Sequence, residues 1–310
     1  MAFIRGFGAW LPDRVVTNQE MAALAGVSPD WILNVSGIEQ RRFAAPGETV
    51  ADLAAAAARD CLERCRLDPA ALGMVIVAGG TSERCFPGPA ATVAHRLGLT
   101  GAPALDLPMP SAGALFAFAL AARLAAEYGH ILVIGAEKMS TVVQRQPLEP
   151  GIAVLFGDGA GACLVSAAGG SAEIVGSVIY SDGAFAEDLR LSFDSPLAMN
   201  GRSVIMQATR KIPRAIAEIL ERHHVPAAEV AAFLMHQANQ NLIDGVARAL
   251  NVPSARFYSN IRRYGNTSAA SMLIAAAEWS QTTGFRPGEP VVFAGFGAGF
   301  NWGALLAKGV

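Results

Sequence analysis

An α/β fold made of two similar halves is what this chain predicts, on two observations. Short β-type apolar runs alternate with alanine-rich helical stretches, and the same succession returns beyond a small, polar seam at Gly169 and Gly170. A chain of 310 residues that is 52% hydrophobic and 16% charged also has the length and apolar content for a large buried core.

In the first half, residues 74–80, 103–108 and 130–137 read as strands, and residues 153–167 as a further strand interrupted by glycines. Between them lie two helical stretches, "ADLAAAAARDCLERC" and the alanine-rich run after Ser111. In the second half "VAAFLMHQAN" ends a strand in polar groups, as "GMVIVAGGTSE" does earlier. "RFYSNIRRYGNTSAASMLIAAAEW" then passes through polar residues into a small-residue helix, as "PALDLPMPSAGALFAFALAARLA" did. Last comes "PVVFAGFGAGFNWGALLAKG", an apolar run broken by glycines. The division falls into residues 1–168 and 169–310, with Ser111 and the Asn266 loop at comparable helix N-termini. Packed about a pseudo-twofold axis, those N-termini approach one point, each with unpaired N–H groups and about half a positive charge. Such a point stabilises an oxyanion.

The bulk numbers exclude several classes of function. A net charge of −2 and the absence of any lysine- or arginine-rich run argue against a nucleic-acid partner. No apolar run approaches the roughly 18 residues of a membrane span, and "MAFIRGFGAWLPDRVV" lacks the features of a secretory signal. Four cysteines without nearby metal-ligand histidines predict neither a disulfide framework nor a metal site, and a reducing cytoplasm fits best. Cys85 in a loop is a lone candidate for a reactive thiol.

Single residues remain ambiguous at this level. Ser111 follows Pro108 and Pro110 and precedes a helix, so it is either an N-cap or a nucleophile. His236 and Asn239 in "MHQAN", Asn266 in "RYGNTSAAS" and the glycines of "GFGAGFNWGA" each admit an ordinary turn or strand-end reading.

Taken together, "WILNVSGIEQRRFA", "FPGPAATVAHRLG", "FGDGAGACLV", "HQAN", "YGNTSAAS" and "GFGAGFNWG" span the chain. In order and spacing they resemble the β-ketoacyl-acyl-carrier-protein synthase III family. The resemblance implies a thiolase-like fold of two pseudo-duplicated halves, with layered mixed sheets and buried helices. It implies a nucleophile–His–Asn triad at Ser111, His236 and Asn266, with the amides of Ser111 and Ala298 as the oxyanion hole. The family's usual nucleophile is cysteine in an "ACAG"-like turn, where this chain has "PSAG". A serine hydroxyl is far less acidic than a thiol and needs a base, for which His236, hydrogen-bonded to the serine oxygen, is the natural candidate.

The resemblance further implies substrate-binding positions at Trp31, Phe86, Ile205, Asn239 and Arg248. Trp31 matches a tryptophan that stacks on the adenine of coenzyme A, and Asn239 shapes the "HQAN" turn. Phe86 matches an aromatic that enters the partner subunit's acyl pocket, which implies a homodimer; ordinary core packing is the alternative. Val35, Pro150, Met206 and Asn241 stand where the family has cations, so coenzyme A and carrier docking are altered. No cofactor is expected, since acyl-CoA or acyl carrier protein enters as substrate. The expected activity is loading of an acyl starter on Ser111 and decarboxylative condensation with malonyl-acyl carrier protein, in a specialised fatty-acid or polyketide pathway. Two alternatives stand beside it: acyl transfer from Ser111 to an alcohol, amine or carrier thiol, and a non-catalytic subunit. Retention of His236 and Asn266 argues against the last.

Overall fold

The computed structural model describes residues 1–310. Ten strands form one mixed sheet in two sets of five. The first set is β1 (Phe3–Trp10), β2 (Met74–Ala78), β3 (Ala104–Leu107), β4 (His130–Lys138) and β5 (Asp158–Ser166). The second is β6 (Ala172–Ser181), β7 (Ala232–Met235), β8 (Phe257–Tyr258), β9 (Pro290–Gly297) and β10 (Asn301–Gly309).

Across the sheet the order is β8-β7-β9-β10-β6-β1-β5-β4-β2-β3. Outward from the centre, each set therefore runs first, fifth, fourth, second, third. Strand directions repeat too: the first and fifth pair antiparallel, as do the fifth and fourth, and the outer pairs are parallel. The sets join only through Phe3 opposite Glu173 and Ile4 opposite Ala172. The division after residue 168 lies in the turn between β5 and β6.

Helices recur at matching places. They are α1 (Val50–Arg64), α2 (Pro89–Arg96) and α3 (Gly113–Tyr128), then α4 (Gly201–Arg222), α5 (Gln240–Ala249) and α6 (Ser271–Thr282). Both faces of the strands are apolar, because alternate side chains point to opposite sides and each side meets a helical layer. Ile76 and Val133 of one set and Leu234 and Phe293 of the other pack with α3 and α6 in a central core. Val75 and Ile134 face α1 and α2, while Val292 and Phe233 face α4 and α5. The result is helix, sheet, helix, sheet, helix. Alanine dominates α3 and α6 because a helix covered on both sides must be thin: Ala114, Ala117, Ala121 and Ala275 to Ala277 are all buried.

One expected strand is shorter than the sequence implied. Of residues 153–167, the strand begins only at Asp158, and Pro150–Ala153 is a short helix. Gly157 explains the break, since a Cβ there would collide with the carbonyl of Tyr264. That close approach lets Phe156 form a backbone bridge with Asn266, which seats the Asn266 loop. No helix is long and apolar enough to cross a membrane, and all four cysteines are unpaired.

Candidate active site

Ser111 is not a helix cap. The N-cap of α3 is Ala112, without any side-chain capping bond, and Ser111 itself sits in the left-handed region at φ 58°. A non-glycine residue held there costs about 1–3 kcal/mol unless its surroundings enforce it. Here β9 enforces it: Gly297 lies so close that a Cβ would stand 2.6 Å from the Pro110 carbonyl oxygen and 2.9 Å from Ser111 Cβ. The turn places the hydroxyl just ahead of the positive end of α3.

The other half repeats the device. Ser268 is left-handed at φ 47°, the N-cap of α6 is Ala270 without a side-chain bond, and Gly135 of β4 makes room for the Ala269 carbonyl. The two serines meet. Ser111 donates its amide N–H to Ser268 Oγ at 3.0 Å, and the two hydroxyl oxygens are 3.3 Å apart.

This contact corrects two expectations about Ser111. Its hydroxyl pairs with Ser268 rather than with His236, and its amide is engaged by Ser268 rather than open as an oxyanion donor. The physical reason is the pseudo-twofold: matching turns of the two halves bring serine to serine, and the imidazole comes from a different loop. Ala298, the other expected donor, lines the cavity and is not among the residues with positive φ. Alanine therefore needs no left-handed backbone there.

His236 follows β7 and is buried; its Nδ1 pairs with Ser271 Oγ at 2.7 Å, and that oxygen also accepts the Gln237 N–H. Burial lowers its pKa to about 4, against a backbone hydrogen bond to Ser268 that pulls the other way. The ring is neutral at pH 7. Asn266 Oδ1 accepts the Ser268 N–H at 2.9 Å, which fixes the amide orientation and leaves Nδ2 as the free donor.

Ser111, His236, Asn266, Ser268 and Ala298 all line one cavity of about 1130 Å³ between the halves. Phe86, Ile205 and Asn239 line it too, whereas Trp31 and Arg248 do not. Phe86 is 86% exposed, which removes the core-packing alternative. Asn239 caps α5 by accepting the Asn241 N–H, and its Nδ2 donates to the Val35 carbonyl at 2.8 Å. It thereby ties the "HQAN" turn to the short helix Pro29–Ser36, which carries the half-exposed Trp31. Met206 is exposed on α4, and Asn241 is turned back toward the carbonyls of Asn34 and Val35.

Sequence reasoning missed Ser268, Ser271 and Glu137. Glu137 is fully buried at the end of β4, where Oε2 accepts the Gly80 N–H at 3.0 Å and the Thr81 hydroxyl at 2.6 Å. A carboxylate closing the apolar run "HILVIGAE" was the available signal, because acidic residues are rarely buried without purpose.

Models of 3-oxoacyl-[acyl-carrier-protein] synthase III match residues 105–183, and of its C-terminal part residues 220–308. The β-ketoacyl-[acyl-carrier-protein] synthase III of Gloeobacter violaceus is 38% identical over 323 residues, which cover 98% of this chain and 97% of that protein. An acetoacetyl CoA synthase of a Streptomyces species is 38% identical over 314 residues, covering 96% of this chain and 95% of that one. The crystal structure of 3-oxoacyl-[acyl-carrier-protein] synthase III from Aquifex aeolicus superposes with a TM-score of 0.95 at 33% identity, over 99% of this chain and 100% of that one. The fold is thus thiolase-like, and the chain belongs to the 3-oxoacyl-[acyl-carrier-protein] synthase III family.

Proposed function

We propose that this protein is a ketoacyl synthase III-like condensing enzyme whose nucleophile is Ser111. It takes an acyl starter from a thioester donor and condenses it with malonyl-acyl carrier protein, releasing carbon dioxide, in a specialised fatty-acid or polyketide pathway. One observation carries this reading: a serine in a strained turn at a helix N-terminus shares a large cavity with a neutral imidazole and an oriented amide from the other half.

In loading, Ser111 Oγ attacks the thioester carbonyl and the thiol leaves, with the Ala298 N–H available to the oxyanion. Exchange of a thioester for an oxyester runs downhill. In condensation, neutral His236 and Asn266 Nδ2 hydrogen-bond the malonyl thioester carbonyl. The enolate that forms as carbon dioxide departs is held by those same donors. The carbanion then attacks the acyl-serine.

Phe86, exposed at the cavity edge, is covered by a second copy of the chain, as expected for a homodimer. A second reading concerns the acceptor. The likeness to an acetoacetyl CoA synthase, with Met206 and Asn241 in place of carrier-docking cations, supports a malonyl group carried on coenzyme A.

Intact-mass spectrometry after incubation with a panel of acyl-CoAs and acyl carriers tests the proposal. An adduct on the Ser111 peptide that is absent in Ser111→Ala is expected, followed by carbon dioxide release on adding malonyl carrier or malonyl-CoA. Loading without carbon dioxide release from either acceptor would replace condensation with simple acyl transfer. No adduct from any donor would leave a non-catalytic subunit.

A further inference from the structure

Arg41 is fully buried, yet both of its hydrogen bonds go to neutral oxygens. Nη2 donates to the Val154 carbonyl at 2.6 Å and Nη1 to Asn18 Oδ1 at 2.8 Å, while Nε has no partner. Burial lowers its pKa to about 10, so the guanidinium is still charged at pH 7. A buried cation without a bonded carboxylate carries a desolvation cost that the rest of the fold must offset. Its surroundings give the cost a purpose.

Those surroundings lead to Asn266. Arg41 lies in a short hairpin of Arg14–Thr17 and Gln40–Phe43. Its partner Asn18 is itself fixed, with Nδ2 donating to the Ile38 carbonyl at 2.7 Å and N–H to the Glu39 carbonyl at 3.1 Å. Val154, whose carbonyl Arg41 holds, opens the break in the chain before β5. Immediately after it, the Leu155 carbonyl accepts the Asn266 N–H at 2.9 Å, and the Gly157 N–H donates to the Asn266 carbonyl at 3.1 Å. The backbone of Asn266 is therefore bracketed by residues 155–157. The stem of Arg41 packs against the same place: its Cβ lies 3.0 Å from where a Cβ on Gly157 would stand and 3.2 Å from one on Gly265.

We infer that Arg41 is a positioning residue for Asn266: it pins Val154 from the hairpin and, through residues 155–157, sets where the Asn266 amide stands in the cavity. This rests on the reading of Asn266 as a donor to the malonyl carbonyl in condensation. Arg41 does not line the cavity and touches no substrate atom. Arginine suits the task because two nitrogens of one rigid plane reach two acceptors at once, whereas a lysine ammonium is a single point on a flexible stem.

Two measurements test this, the first without substrate. Arg41→Met keeps an apolar stem and removes both hydrogen bonds; Arg41→Lys keeps the charge and loses the fork. Amide hydrogen exchange followed by NMR is expected to be about 10-fold faster at Gly157 and Asn266 in Arg41→Met. The His236 amide, bonded to the Ala294 carbonyl at 2.8 Å, should be unchanged. In the second measurement, enzyme already acylated on Ser111 is mixed with malonyl-CoA or malonyl carrier, and carbon dioxide release is timed. Arg41→Met is expected to slow that release about 100-fold, with Arg41→Lys between it and the native chain. Loading of Ser111, which does not use Asn266, stays within about 3-fold. Adding Arg41→Met to Asn266→Ala should slow release no further. Equal slowing of loading and release, multiplying losses in the double variant, or native exchange rates at Gly157 and Asn266 would each overturn the inference. Failure of both Arg41 variants to fold would do so too, by making the residue a requirement of the fold rather than of Asn266. Loading without carbon dioxide release in the native enzyme would instead sink the condensation reading, a failure that the exchange rates tell apart from this one.

Discussion

Replacing Gly297 with alanine tests whether the approach of β9 to the Ser111 turn sets reactivity. The added Cβ would lie 2.6 Å from the Pro110 carbonyl oxygen, 2.8 Å from the Ala112 nitrogen and 2.9 Å from Ser111 Cβ. Two of these are backbone atoms of one turn, so no side-chain rotation relieves the contact. Ordinary contact begins near 3.4 Å, and the turn must therefore withdraw by about 0.8 Å. Overpacking of this kind costs about 1–3 kcal/mol, or roughly 2–6 °C in melting temperature for a chain of this size. A displacement near 1 Å at a reacting atom costs about 100-fold in rate. The expected result is thus a modest loss of stability with a far larger loss of loading, read by calorimetry and by intact mass on the same sample. Gly183→Ala is the control, because nothing lies within 4 Å of a Cβ there. Loading at the native rate in Gly297→Ala would refute the claim that this packing aims the serine.

Two further outcomes are expected. Because burial holds His236 at a pKa of about 4 against an ordinary 6.5, the unfolded chain binds a proton between those values that the folded chain does not. Stability is therefore full above pH 6.5 and falls as pH drops toward 4, by up to roughly 3 kcal/mol; urea midpoints at pH 7 and pH 5 should converge in His236→Asn, and an undiminished acid loss in that variant would exclude His236 as its source. Phe86→Ala removes a ring that the isolated chain leaves exposed, so intrinsic stability should change by less than about 0.5 kcal/mol while sedimentation reports weaker self-association and the accepted acyl lengths shift. Unchanged association would exclude the ring from the interface.

Much of this architecture was legible before folding. Alternating apolar runs and alanine-rich stretches specify strands and helices through local periodicity, and their recurrence past Gly169 announced the duplication that the repeated strand order displays. The motifs around Ser111, His236 and Asn266 placed these residues at strand ends and helix starts, and the structure gathers all three around one cavity. The break at 154–157 was not legible, because Gly157 yields to Tyr264, a contact between residues more than 100 positions apart.

What the sequence determined alone was the alternation of strands and helices, its recurrence past Gly169, and the candidate residues Ser111, His236 and Asn266. Each of these depends on neighbours along the chain. Which groups touch was decided only by tertiary packing. Local rules allowed Ser111 to cap a helix; Gly297 of the opposite half, pressed against its turn, holds it instead in a left-handed conformation facing Ser268. Two turns related by the pseudo-twofold axis meet at the centre of the molecule, and no stretch of sequence contains both.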